Sequence, residues 1–196
     1  MARPRSFEPD AVLDAARDLF WARGYEGTSL DDITAATGVN KPSLSAAFGD
    51  KASLFLAVLE RYHAMLIAHA RHSLGDPQGS ARDAISKWFT GFLPVCSGAG
   101  GKRGCLSVNS GVAPPGDAAV QSIAAYNRQI EALLRKAIER GKAAGEFPRE
   151  YDAKGVARAL LAALTGLMLL ARQTPGATET RAAMSHVLAI LYPAVK

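Results

Sequence analysis

The stretch TGVNKPSLSAAFGDK, residues 37–51, holds the end of one helix, a tight turn, a second short helix and the start of a third. Gly38 stops the first helix, because helices commonly end on a residue with left-handed backbone and glycine takes that conformation at no steric cost. Lys41-Pro42 opens the second, since a first helical turn has no use for the N–H that proline lacks. Leu44 and Phe48 are spaced i and i+4 and share one side of it. The other side carries Lys41, Pro42, Ser43, Ser45 and Ala46, a face of small and cationic residues with nothing bulky. Such a face suits close approach to a long polyanion. Serine hydroxyls reach phosphates or base edges, and alanine or proline lies against a thymine methyl.

Working outward, Val12, Ala15, Ala16, Leu19 and Phe20 form an apolar stripe over a helix from about residue 8 to 23, ended by Gly24. Ser29 or Thr28 caps the next helix, and Ser29 with Asp32 three residues on is a capping-box pattern. Leu30 and Ile33 face inward before Gly38. Two short helices joined by a tight glycine turn make a helix-turn-helix. Thr28 offers a hydroxyl and a backbone N–H to a phosphate, and Lys41 and Lys51 supply charge nearby. Beyond Lys51 the spacing predicts helices over about 51–74, 80–95, 104–111, 117–144, 152–173 and 177–192, nine in all, with no β pattern. The fold class is all-α: a three-helix domain over residues 1–50 and a larger helical domain over 51–196.

Residues 15–55, AARDLFWARGYEGTSLDDITAATGVNKPSLSAAFGDKASLF, resemble the DNA-binding domain of TetR-family transcriptional regulators. Three motifs carry the likeness. They are Phe-x-x-x-Gly-Tyr-x-x-Thr-Ser at the front, Ile-x-x-x-x-Gly-Val at the turn and Leu-x-x-x-Phe-x-x-Lys at the exit. The resemblance implies a C-terminal ligand-binding and dimerising body, and a repressor released from a palindromic double-stranded operator by a small-molecule effector. It also implies DNA contacts at Thr28, Lys41, Ser43 and Lys51, with Tyr25 close to the backbone. The position after Leu44 is usually tyrosine in such proteins and packs on a phosphate. Here it is Ser45, which predicts a weaker or differently placed contact. The N-terminal ARPRS, with Arg3 and Arg5, resembles the basic arm that some members insert into a minor groove; the alternative is a frayed tail.

The net charge of +5 is unevenly spread. Residues 1–50 carry five Lys/Arg and eight Asp/Glu, and the remainder 18 and 10, so the groove-reading part is acidic overall. DNA binding must therefore rest on local geometry rather than bulk charge. The N-terminus has no apolar signal region, and the most apolar run, 155–171, falls short of the roughly 20 residues of a membrane span. A cytoplasmic protein with no membrane partner is expected. Two cysteines make no disulfide framework.

A regulator of this kind needs a pocket between helices of its body. Candidate lining residues are Trp88, Phe92, Cys96, Cys105, Asn109, Tyr126 and Met168. Asn109 and Tyr126 stand out because a buried amide or phenol requires a partner. The segment GCLSVNS, 104–110, is similar to one in a subset of TetR-like regulators, some of which answer to small reactive or unsaturated compounds. Cys96 and Cys105 flank a glycine-rich loop holding Lys102 and Arg103, whose charge would favour thiolate, so electrophile or redox sensing is the alternative function. His63, His69, His72 and His186 give no metal-ligand spacing, and no cofactor motif is present. An enzyme is disfavoured: there is no Ser/His/Asp string, phosphate-binding glycine motif or carboxylate pair in an apolar setting, leaving only a chance Cys/His pairing. The helix VARALLAALTGLMLLA (156–171) is apolar almost all round, and with MSHVLAILY (184–192) it predicts a homodimer through the last two helices.

Overall fold

The computed structural model describes residues 7–97, 102–173 and 176–192; Arg3 and Arg5 lie outside them. Among the described residues there are nine α-helices and no strand. They are α1 (Pro9–Arg23), α2 (Leu30–Thr37), α3 (Lys41–Phe48), α4 (Lys51–Leu74), α5 (Ala81–Thr90), α6 (Leu106–Val112), α7 (Asp117–Ala143), α8 (Ala153–Gln173) and α9 (Ala177–Leu188).

The cap signals read from sequence form as hydrogen bonds. Ser29 accepts from the Asp32 backbone at 3.1 Å, and Asp32 accepts from the Ser29 backbone at 2.8 Å, a complete capping box on α2. Gly38 takes left-handed φ 69°, ends α2 on the Thr34 carbonyl, and turns the chain within two residues into α3. Asn40 then caps α3 by accepting from the Ser43 N–H at 2.9 Å. An eight-residue helix is marginal on its own. Leu44, 1% exposed, anchors α3 to α2 and α4 in the same core as Phe20 and Ile33.

α4 is the shared beam. Its first half meets α1, where Phe55 packs edge-on to Phe20 at 5.0 Å and to Tyr25 at 5.2 Å. It also runs against α5, α6 and α7 in the body. α8 packs on α6, α7 and α9. The α7–α8 connection reaches back to α5. There the Glu146 carboxylate accepts from Ala81 N–H at 2.8 Å, Arg82 N–H at 3.0 Å and Ser80 hydroxyl at 2.7 Å. That side chain satisfies orphan donors at the start of α5 and fixes the helix that carries Trp88.

Three sequence expectations change. The helix expected over 80–95 ends at Thr90, and Leu93–Cys96 forms a single 3-10 turn. Pro94 has no N–H to continue an α-helical ladder. The last helix likewise stops at Leu188 and tightens into a 3-10 turn over Ala189–Leu191. The apolar run 155–171 is part of a 21-residue helix with mean hydropathy 1.6, long and apolar enough to cross a bilayer by those criteria. In this fold α8 instead lies in the bundle, with Val156, Leu160, Leu164 and Met168 buried.

Candidate functional site

The solvent-facing side of α3 presents Lys41, Pro42, Ser45 and Ala46 exposed, with Ser43 half-buried. Lys41 Nζ is held by the Asp31 carboxylate of α2 at 3.1 and 3.3 Å. Both side chains are largely in solvent, so the pair is weak and a phosphate can replace the carboxylate as partner. No side chain longer than lysine stands on this face.

Three expected contacts sit differently. Thr28 is 1% exposed and donates its hydroxyl to the Gly24 carbonyl at 2.8 Å. The hydroxyl clasps the α1–α2 turn, and is not presented to a phosphate. Lys51 donates to the Tyr25 carbonyl at 3.0 Å, and its ammonium lies 4.1 Å above the Tyr25 ring. Tyr25 in turn stacks near Phe20 at 6.1 Å. Thus Lys51 and Tyr25 fasten the turn before α2 to the start of α4, and any contact they make with DNA is made from that fixed position. The acids that make this region negative are largely paired with cations. Asp10 and Asp14 meet Arg61 of α4 at 3.0 and 3.6 Å, Asp14 also meets Arg17 at 2.9 Å, and Asp18 meets Arg103 at 3.0 Å. Asp32 is held below the usual carboxylate range by the Ser29 hydrogen bonds, which outweigh its slight burial and are aided by Arg23.

In the body, five expected lining residues come together. Trp88, Phe92, Cys105, Tyr126 and Met168 border one cavity of about 280 Å³, closed by Val108, Ile123, Leu161 and Leu164. Its lining contains no charged side chain; the polar groups are Cys105, Ser107, Tyr126, Asn127 and Thr165. Two expected residues are elsewhere. Cys96 is fully buried in the core and does not border this space. Asn109 points to the Arg103 carbonyl at 2.7 Å, in the seam between body and reading head.

The electrostatics also depart from expectation. Arg103 turns away from the thiols, its guanidinium 4.4 Å over the Trp21 ring and paired with Asp18. Burial, together with the neighbouring Cys105, pushes the Cys96 thiol up to about 11, so Cys96 is no ready thiolate. Both cysteines are free and buried. Cys105 Sγ lies 3.5 Å from Tyr62 Oη. Burial and then Cys105 raise the Tyr126 phenol, which stays a neutral donor in the cavity wall.

The sequence reading did not single out the groups beneath this cavity. His63, 5% exposed, joins Ser107 of α6 at 2.9 Å through Nε2 and Ser122 of α7 at 3.4 Å through Nδ1. Its ring stacks on Tyr126 at 4.5 Å. On α4, His63 follows Tyr62 and precedes no recognisable motif, so only the three-dimensional packing reveals it. Trp21 was hidden too, although a tryptophan beside Phe20 must leave the stripe that buries Phe20, and needs a second surface.

Comparison with known proteins bears on this geometry. Residues 12–58 match the family described as "Bacterial regulatory proteins, tetR family", and residues 111–169 match "Tetracyclin repressor-like, C-terminal domain". The chain is similar to the HTH-type transcriptional repressor ComR of Escherichia coli (strain K12), 31% identical over 173 residues, 87% of this chain and 82% of ComR. It is 47% identical over 60 residues to the HTH-type transcriptional repressor BdcR of the same strain, covering 31% of this chain and 30% of BdcR. A cysteine mutant of the TetR family regulator CifR, complexed with 26-bp double-strand operator DNA, matches with TM-score 0.84 at 31% identity, over 95% of this chain and 98% of that one. The reduced form of E. coli NemR matches with TM-score 0.85 at 26% identity, over 95% and 98%.

Burial lowers His63 from 6.5 to about 4, so the folded chain keeps it neutral where the unfolded chain takes up a proton. Stability from this site is present above pH 6.5 and is lost as pH falls toward about 4. Urea titrations across that window are expected to show a falling midpoint in the parent protein and a flatter profile in His63→Gln.

Proposed function

The chain belongs to the TetR family of bacterial regulatory proteins, and from that premise we propose that it is a ligand-responsive repressor, released from a palindromic operator by a small molecule. The observation that carries this reading is the presence, in one chain, of an unobstructed α3 face and an apolar cavity between body helices. That ComR and BdcR are named repressors, and that CifR is seen with operator DNA, supports the same direction.

In this reading Lys41 exchanges Asp31 for a phosphate, while Ser43, Ser45 and Pro42 meet base edges or the backbone. Two copies pair through α8 and α9. The outward side of α8 carries Ala159 and Ala162, small enough for close helix approach, and Ile190 and Tyr192 extend an exposed apolar edge beyond α9. The effector is uncharged and mainly apolar, because the cavity lining offers an ion no countercharge. At about 280 Å³ the space is just below the usual range of ligand pockets, which run from about 300 Å³ upward, so a small effector fits it best.

A second reading, thiol sensing, draws on the place of Cys105 in the cavity wall, where an electrophile entering the space would meet it. Cys96 has no such access.

Operators are obtained by selection from genomic DNA, and affinity is then followed against salt. Lys41→Ala should weaken binding to all sequences and reduce the slope of log K against log salt by about one per protomer. An unchanged slope would remove Lys41 from the phosphate contacts. For the thiol reading, Cys105→Ser should bind operator like the parent and fail to respond to a thiol-reactive compound. Full release of that variant by the compound would reject it.

A further inference from the structure

The strongest unassigned feature is the turn at residues 103–105, which touches both the reading head and the cavity. Trp21 of α1 donates its indole N–H to two successive carbonyls of this turn, Arg103 at 3.1 Å and Gly104 at 3.2 Å. The Arg103 side chain folds back over the same indole and pairs with Asp18, also on α1. Asn109 of α6 donates to the Arg103 carbonyl from the body side at 2.7 Å. Gly104 makes this geometry possible. It is buried with φ 64°, and a Cβ there would stand 3.1 Å from the Asn109 amide oxygen.

The next residue is Cys105. Its carbonyl accepts the Asn109 N–H at 2.9 Å as α6 begins, and its side chain is part of the cavity wall. Tyr62 of α4 closes the arrangement, with its hydroxyl 3.5 Å from Cys105 Sγ and its ring edge-on to Trp21 at 5.4 Å. One peptide unit therefore separates an atom that an occupant of the cavity would displace from the carbonyls that hold α1.

We infer that Trp21 is a latch that transmits cavity occupancy to the reading head, through the hydrogen bonds from its indole N–H to the 103–104 carbonyls. The inference rests on the cavity being the effector site. An occupant that pushes the Cys105 wall outward shifts the whole turn, because Gly104 and Asn109 hold it as a unit. Trp21 follows the carbonyls, and α1 carries α2 and α3 with it through the Phe20 core. Packed elements of this kind move between discrete arrangements rather than deforming smoothly, so a small displacement at the wall is passed on. Coupling of this sort is measured as a ratio of affinities, typically 5–150-fold.

The test uses the full chain with Cys96→Ala and methyl methanethiosulfonate as the probe. The Cys105 thiol releases its proton to water, its sulfur attacks the sulfenyl sulfur, the S–S bond to the sulfonyl group breaks, a mixed disulfide forms and methanesulfinate leaves; mass spectrometry counts the adduct. Operator affinity is measured before and after labelling, in this background and with Trp21→Phe added, which keeps a ring but lacks the donor. The latch predicts at least a tenfold loss of affinity on labelling with Trp21 present, and less than threefold with Trp21→Phe. Asp18→Asn, a surface change that leaves the aromatic packing intact, should reduce the response in the same direction. Equal loss with and without the indole N–H would overturn the latch and leave the cavity reading standing. Complete labelling with no loss in the Trp21 background would overturn the cavity reading, and the latch with it. Absence of an adduct would take Cys105 out of the accessible wall and contradict the proposal.

Discussion

Three aromatic rings decide whether this chain can present α3 at all. Phe20 of α1, Tyr25 of the following turn and Phe55 of α4 pack within 5.0–6.1 Å of one another, and Lys51 seals the group by donating to the Tyr25 carbonyl. Phe20 and Phe55 are each 2% exposed, and full burial of such side chains stabilises by about 1.5–3 kcal/mol apiece. α2 and α3, at eight residues each, are too short to be stable alone. They persist because Ile33 and Leu44 enter the core these rings define. The position of the reading face is thus set from behind, by α1 and α4.

That dependence joins recognition to regulation. α4 runs unbroken from Lys51 to Leu74, bearing Phe55 in the reading head and Tyr62 and His63 against the body. α1 is tied to the same body by the Trp21 hydrogen bonds and by Arg103 on Asp18. The charge pattern follows from this architecture. Five of the eight N-terminal acids are paired with cations: Asp10, Asp14 and Asp18 with Arg17, Arg61 or Arg103, Asp31 with Lys41 and Asp32 with Arg23, which tempers the repulsive field near α3.

Much of the fold was legible because its signals are local. Ser29 with Asp32, Gly38 and Pro42 specify helix ends within a few residues of chain, and the helices start and stop there; the Asn40 cap on α3 was not read from the sequence. The family likeness of residues 15–55 was legible for the same reason, and the match over residues 12–58 agrees with it. The side-chain roles were less so. Thr28 and Lys51 look available to a phosphate in sequence, yet both are engaged by backbone carbonyls that only the folded turn brings near. Trp88, Phe92, Cys105, Tyr126 and Met168 border one cavity, as helical spacing that puts large groups on inward faces leads one to expect. The cavity reading missed at Asn109, and its electrostatic premise missed at Cys96. An amide's partner and a thiol's surroundings are set by contacts distant in the chain. Trp21 and His63 have hydrogen-bond partners 44 residues or more away in sequence, and no local pattern announces them.

Hydroxyl-radical footprinting of the protein on a selected operator tests the central claim most directly. In the proposed dimer the two α3 faces should protect two symmetric stretches of DNA, centred about one helical turn, roughly 10–10.5 base pairs, or a whole multiple of that apart. Protection with no two-fold symmetry, or equal protection of unrelated sequence at the same salt, would contradict it.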